Sequence, residues 1–194
     1  MKQNLKLMLF VLILGVLTSG LLVGVDALTR DRIAQNAEAE LKAAILDAND
    51  EPYNLTNIHD VFAEVMEVIE EDGLTFYQHR TTNNISYPFI GGGVWGPIGG
   101  IITLEDDFET IVAIRVLVQE ETPGLGGIIA EAKYLANFVG IKMTPSLEIN
   151  KDPSANAVNE VDAITGATRT SDAFEIIMND NYNLYKTAWE SRIE

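Results

Sequence analysis

The chain has 194 residues, with 13 Lys and Arg against 29 Asp and Glu, two His and no Cys. Without cysteine there are no disulfides, thiolate-bound iron–sulfur clusters, Cys-based zinc sites or thioether-attached haem. The formal charge is −16, and with Lys2 and Lys6 set aside 11 basic face 29 acidic side chains, a balance of −18 that repels nucleic acid and anionic lipid alike.

Leu7 to Val25 is an uncharged, almost wholly apolar run of 19 residues. As a helix it extends about 28 Å, enough to cross a hydrocarbon core. Val25-Asp26-Ala27 loosely imitates a signal cleavage site, but the apolar run exceeds the usual ~7–15 residues of a signal peptide, so an uncleaved single-pass anchor is expected. Lys2 and Lys6 place the N-terminus in the cytoplasm and the remainder on the extracytoplasmic side of the cell (inner) membrane, although Arg30 and Arg32 on the far flank weaken this bias. The expected division is residues 1–28 for the N-terminal end and anchor, 29–60 for a juxtamembrane helix and connection, and 61–194 for the extracytoplasmic domain.

Ile33, Ala37, Leu41 and Ile45 recur four apart and predict a helix running on from the span, with Pro52 as its stop. Phe62 to Ile69 fits a helix by spacing and a strand by composition. The Glu71-Asp72-Gly73 turn favours a hairpin, with Leu74 to Arg80 as its second strand. His59 and His79 belong to no metal-ligand spacing and read as surface or turn residues, so no metal site is expected. Val112, Ile114, Val116 and Val118 predict a buried strand, with Ile101 to Leu104 as its partner. Ile128 to Val139 predicts a helix, Lys142 to Ile149 a strand, and the stretch from Ser171 one or two final helices. Strands and helices without a repeating βαβ unit give an α+β class with an antiparallel sheet and flanking helices.

Three small-residue clusters interrupt these elements. Six of the 15 glycines lie between Gly91 and Gly100, around Trp95, where missing side chains permit a tight turn or close approach of a flat ligand. The loop leads into a strand, so it is no dinucleotide fingerprint. Glu121-Thr122-Pro123-Gly124-Leu125-Gly126-Gly127 falls between a strand and a predicted helix. Asp162-Ala163-Ile164-Thr165-Gly166-Ala167-Thr168 stands before a helical pattern, where unpaired amides and the helix dipole favour a phosphate. Taken singly, each cluster also reads as a plain structural turn or cap, with Ser171 and Glu175 one residue beyond capping-box spacing.

In this order, behind an N-terminal span, the three clusters resemble the FMN-binding domain shared by the G-type component of the Rnf complex and the C-type component of the sodium-translocating NADH:quinone reductase. The resemblance covers about Phe62 to Ile177. It implies an electron-transfer flavoprotein subunit, with no complete catalytic site of its own, whose FMN is joined by a phosphoester to Thr168. A separate flavin transferase would make the bond, and other membrane subunits would be the redox partners. It further implies Asp162, Thr165, Gly166 and Ala167 as recognition sequence and phosphate wall, Glu121, Thr122, Gly124 and Leu125 as ring-side contacts, and Trp95 close by. The short chain and Gly96-Pro97-Ile98 favour the Rnf component. Gly92-Gly93-Val94-Trp95-Gly96 looks like the reductase component, which is the alternative. An anchored scaffold without cofactor is the alternative of another class.

Overall fold

The computed structural model describes residues 2–150 and 156–192. The side chain of Lys2, one of the two cations used above for orientation, lies outside the described residues. The chain divides into two compact units, residues 1–39 and 40–194.

The first unit is helical throughout its described residues. It is the N-terminal part of α1 (Lys2–Ala48), a helix of 47 residues whose apolar side chains from Leu5 to Val25 are exposed. This helix is long and apolar enough to cross a membrane. The helix predicted after the span is its continuation, so no break separates the two stretches.

In the second unit α1 ends where Asp50 turns left-handed (φ 56°) and the Glu51 N–H returns to the Leu46 carbonyl at 3.0 Å. Ala44, Ile45 and Leu46 then pack with Ile58 and Phe62 of α2 (Ile58–Val65), with Met66, and with Ile101. The ambiguous stretch is thus both things in succession: Phe62 and Val65 lie on α2, and Met66 begins β1. β1 (Met66–Glu71) and β2 (Leu74–His79) form the hairpin about Asp72-Gly73.

β3 (Ile85–Gly92), β4 (Pro97–Leu104) and β5 (Ile111–Val118) complete an antiparallel sheet in the order β1-β2-β3-β4-β5. β3 was not predicted, and it carries Pro88. Its pairing with β2 covers only Tyr77 to Ser86 and Gln78 to Ile85, so proline stands beyond that pairing, where no N–H is needed. Asn181 takes the place of a strand at this open edge, accepting from the Ile90 N–H at 3.3 Å and donating to the Ile90 carbonyl at 3.1 Å. β4 is buried on both faces, by the Ile45 cluster on one side and by the main core on the other. On β5, Ile114 and Val116 point into the main core as expected, but a register shift at Gly99/Gly100 leaves Val118 51% exposed.

The helix predicted over 128–139 is broken into a 3-10 turn (Gly126–Ala130), the single-turn α3 (Ala132–Leu135) and a second 3-10 turn (Ala136–Phe138). The strand predicted over 142–149 reduces to one bridge, Thr110 to Lys142, and to β6 (Glu148–Asn150), since Pro145 cannot donate to a ladder. β6 pairs in parallel with β7 (Glu160–Asp162). One final helix, α4 (Thr168–Ser191), lays Phe174, Ile177, Met178, Tyr182, Tyr185 and Trp189 against the sheet. His79 is buried rather than on the surface: Nδ1 meets Thr82 Oγ1 at 2.8 Å and Nε2 meets Glu51 Oε1 at 3.1 Å.

Candidate functional site

The three small-residue clusters meet around one recess of about 290 Å³. Val94 and Trp95 come from the β3–β4 turn, Glu121, Thr122, Leu125 and Gly126 from the loop after β5, and Gly166 to Thr170 from the start of α4. The loop after β5 is shaped by Pro123 and by Gly124 at φ +71°, which occupy the centre of a tight turn closed by the Leu125 N–H on the Thr122 carbonyl at 3.1 Å.

A buried carboxylate ties the three segments together. Glu121, 4% exposed, accepts on Oε1 from the N–H groups of Val94 at 2.7 Å and Trp95 at 3.1 Å, and on Oε2 from the Thr170 hydroxyl at 2.7 Å. A Cβ on Gly93 would stand 2.6 Å from Glu121 Oε1, and one on Gly126 would stand 2.5 Å from Thr170 Oγ1, so glycine at both positions leaves room for this network.

Thr168, half-buried, is the first residue of α4. Ala167 precedes it and offers no capping side chain, and the amides of Thr168 and Arg169 make no hydrogen bond among the described residues. Ser171 forms no capping box: its hydroxyl accepts from the Ile164 N–H at 3.0 Å and donates to the Ala167 carbonyl at 3.2 Å, while Glu175 accepts from the Ile149 N–H at 2.6 Å. Opposite the helix start, Trp95 is 70% and Leu125 45% exposed.

Of the expected site residues, Trp95, Glu121, Thr122, Leu125, Gly166, Ala167 and Thr168 line the recess. Asp162, Thr165 and Gly124 do not; all three are exposed, and the Asp162 carbonyl accepts from the Tyr134 hydroxyl at 3.2 Å. Arg169 and Thr170 line the wall without having been singled out. Their signal was position alone, one and two residues past Thr168. Among the described residues no group of His, Asp and Glu could hold a metal ion.

The recess is therefore lined by the Thr168 hydroxyl, the free amides of Thr168 and Arg169 and the Arg169 cation, suited to an anion, and by Trp95, Leu125 and Val94, suited to a flat apolar ring, with the Glu121 carboxylate engaged by its three donors in the same lining. These features fit a ring-bearing phosphate such as FMN. The volume lies at the lower end of small-molecule sites, so such a group would stay partly exposed.

Fold and recess together define an α+β domain with a recess, part polar and part apolar, at the start of a helix. Residues 93–183 match the family model of the FMN-binding domain. It is 36% identical over 115 residues, 57% of this chain and 42% of the other, to the C-type component of the Na(+)-translocating NADH-quinone reductase of Pasteurella multocida. It is 31% identical over 160 residues, 76% of this chain and 59% of the other, to the same component in Haemophilus ducreyi. The chain thus spans about half the length of these relatives. The fold is similar to that of Shewanella oneidensis NqrC, with a TM-score of 0.66 at 19% identity over 77% of this chain and 93% of that one. The corresponding reductase component from Parabacteroides distasonis gives 0.65 at 21% identity, over 78% and 92%. These relatives favour the reductase component over the Rnf component preferred from the Gly96-Pro97-Ile98 segment and the chain length.

Proposed function

We propose that this chain is the membrane-anchored electron-carrying subunit of a complex of the sodium-translocating NADH:quinone reductase type, with FMN held through its phosphate by a covalent bond to Thr168. The observation that carries the reading is the convergence of the Thr168 hydroxyl, the free amides of Thr168 and Arg169, and exposed Trp95 and Leu125 on one recess. When bound, the flavin supplies the electron-transfer chemistry, and the protein supplies position and electrostatics.

In this reading the apolar helix anchors the chain, with the N-terminus cytoplasmic and the flavin domain extracytoplasmic. Thr168 Oγ1 would hold the phosphoryl group as an ester, made by a flavin transferase from FAD with AMP as the leaving group and the hydroxyl proton passing to that enzyme. Gly166 and Ala167 shape the wall behind that hydroxyl. Arg169 and the two amides offset the phosphate charge. Trp95, Thr122 and Leu125 border the ring. Asp162, Thr165 and Gly124 shape the motifs from outside the recess and serve recognition by the transferase and turn geometry. The tether keeps the group in place through every redox state, and its partial exposure suits exchange with neighbouring subunits.

The test is flavin fluorescence of the band in a denaturing gel, from chain coexpressed with a flavin transferase. Wild type and Thr168→Ser retain the signal and Thr168→Val loses it; a fluorescent Thr168→Val band contradicts the tether. Recovery of the chain from its native membranes with Rnf subunits would move the assignment to that complex.

A further inference from the structure

The resemblance implies Glu121 as a contact of the flavin ring, yet both of its oxygens are occupied within the protein. We infer that Glu121 is a positioning residue that, with Thr170, forms a strut joining the first turn of α4 to the Trp95 turn and fixes a negative charge in the recess wall. This inference rests on the proposed flavin site but makes a separate claim about the protein alone.

The geometry carries the mechanical half. The carboxylate is buried and three donors converge on it: two consecutive amides of the β3–β4 turn on one oxygen and the Thr170 hydroxyl on the other. Those two amides set the direction of the turn and therefore of Trp95. Thr170 lies two residues beyond Thr168 on the same helical turn. The tethering hydroxyl and the indole thus hang from opposite ends of one carboxylate. The Glu121 N–H is itself held by Gln119 Oε1 at 2.6 Å, which fixes the side chain's origin. Leaving such donors unpaired in a buried site costs more than a typical surface bond returns.

The electrostatic half follows from the donor set. All three partners donate, which suits the charged carboxylate, and water does not screen a charge buried in the wall as it would one at the surface. A ring at this wall that takes up an electron is disfavoured by the fixed anion. Glu121 therefore holds the flavin potential lower than a neutral side chain of the same shape would.

The experiment compares Glu121→Gln, Glu121→Ala, Thr170→Val and Thr170→Ser in the full chain in detergent, with and without flavin. In flavin-free protein, amide exchange across residues 93–96 and iodide quenching of tryptophan report the strut. Trp189, 9% exposed, contributes little to that quenching beside Trp95. Glu121→Ala and Thr170→Val accelerate exchange by about tenfold and increase quenching. Thr170→Ser restores both, and Glu121→Gln stays near wild type. In flavin-loaded protein, confirmed by intact mass, a dithionite titration gives a higher midpoint potential for Glu121→Gln than for wild type. Unchanged exchange in both Glu121→Ala and Thr170→Val overturns the strut, and an unchanged Glu121→Gln potential overturns the charge role. Absence of flavin from wild type refutes the functional reading while the exchange results still decide the strut. If Glu121→Ala does not fold, Thr170→Val and its serine rescue decide it alone.

Discussion

Leu125 leans over Gly166, its Cδ2 lying 3.5 Å from where a Cβ on that glycine would stand, so the loop after β5 meets the segment before α4 across the recess. Gly166 holds φ +83°, a left-handed conformation that places Ala167 and Thr168 at the helix start. Gly166→Ala is expected to cost about 1–2 kcal/mol, because a side chain there crowds the following carbonyl. Thermal unfolding should show a midpoint lower by several degrees. An unchanged midpoint would mean that the backbone relaxes at no cost.

Leu125→Ala removes one edge of the ring wall without touching Thr168. The mass of the flavin adduct is expected to remain, while the flavin becomes more accessible to iodide and its potential shifts. Identical quenching and redox titrations would take Leu125 out of the site.

The Tyr87 hydroxyl is buried and has no hydrogen-bond partner among the described residues, although its ring stacks on Tyr185 at 4.3 Å. Tyr87→Phe keeps the stack and removes an unpaired polar atom, an uncompensated burial that costs about 1–3 kcal/mol. Chemical denaturation should find the variant as stable as wild type or more so. A loss of stability would show that the hydroxyl is satisfied in solution.

The same aromatic core makes the fold sensitive to alkali. Burial, with smaller contributions from Tyr77 and Glu70, raises the Tyr185 hydroxyl from 10.0 to about 12. Burial likewise raises Tyr87, well above its ordinary value, and Tyr182. The unfolded chain loses these protons first, so their contribution to stability is intact below about pH 10 and lost as pH rises toward about 12. Denaturant unfolding at about pH 9, 10 and 11 should show falling stability, with a shallower fall in Tyr185→Phe. A flat profile would contradict the burial of these hydroxyls.

Much of this architecture is legible in local pattern, and the failures share a cause. Ile114 and Val116 alternate as a strand must, and the small residues before Thr168 mark a helix start. The Asp72-Gly73 turn announces its hairpin. β3 went unpredicted, and its proline is harmless only because the β2–β3 pairing stops at Tyr77 and Ser86, before Pro88. Val118 was misplaced by a register shift that depends on the neighbouring strand. The apolar spacing from Ile128 to Val139 could not distinguish one helix from three short turns. At the recess, the motifs named most of the wall, but the bond between Glu121 and Thr170 joins residues 49 apart and leaves no local trace.

The tether at Thr168 is tested most directly by the mass of the tryptic peptide containing that residue, from chain isolated out of its native membranes. This peptide is expected to carry FMN less one water, with fragmentation placing the addition on Thr168. An unmodified Thr168 peptide from colourless protein would contradict it, leaving the recess without a tethered flavin.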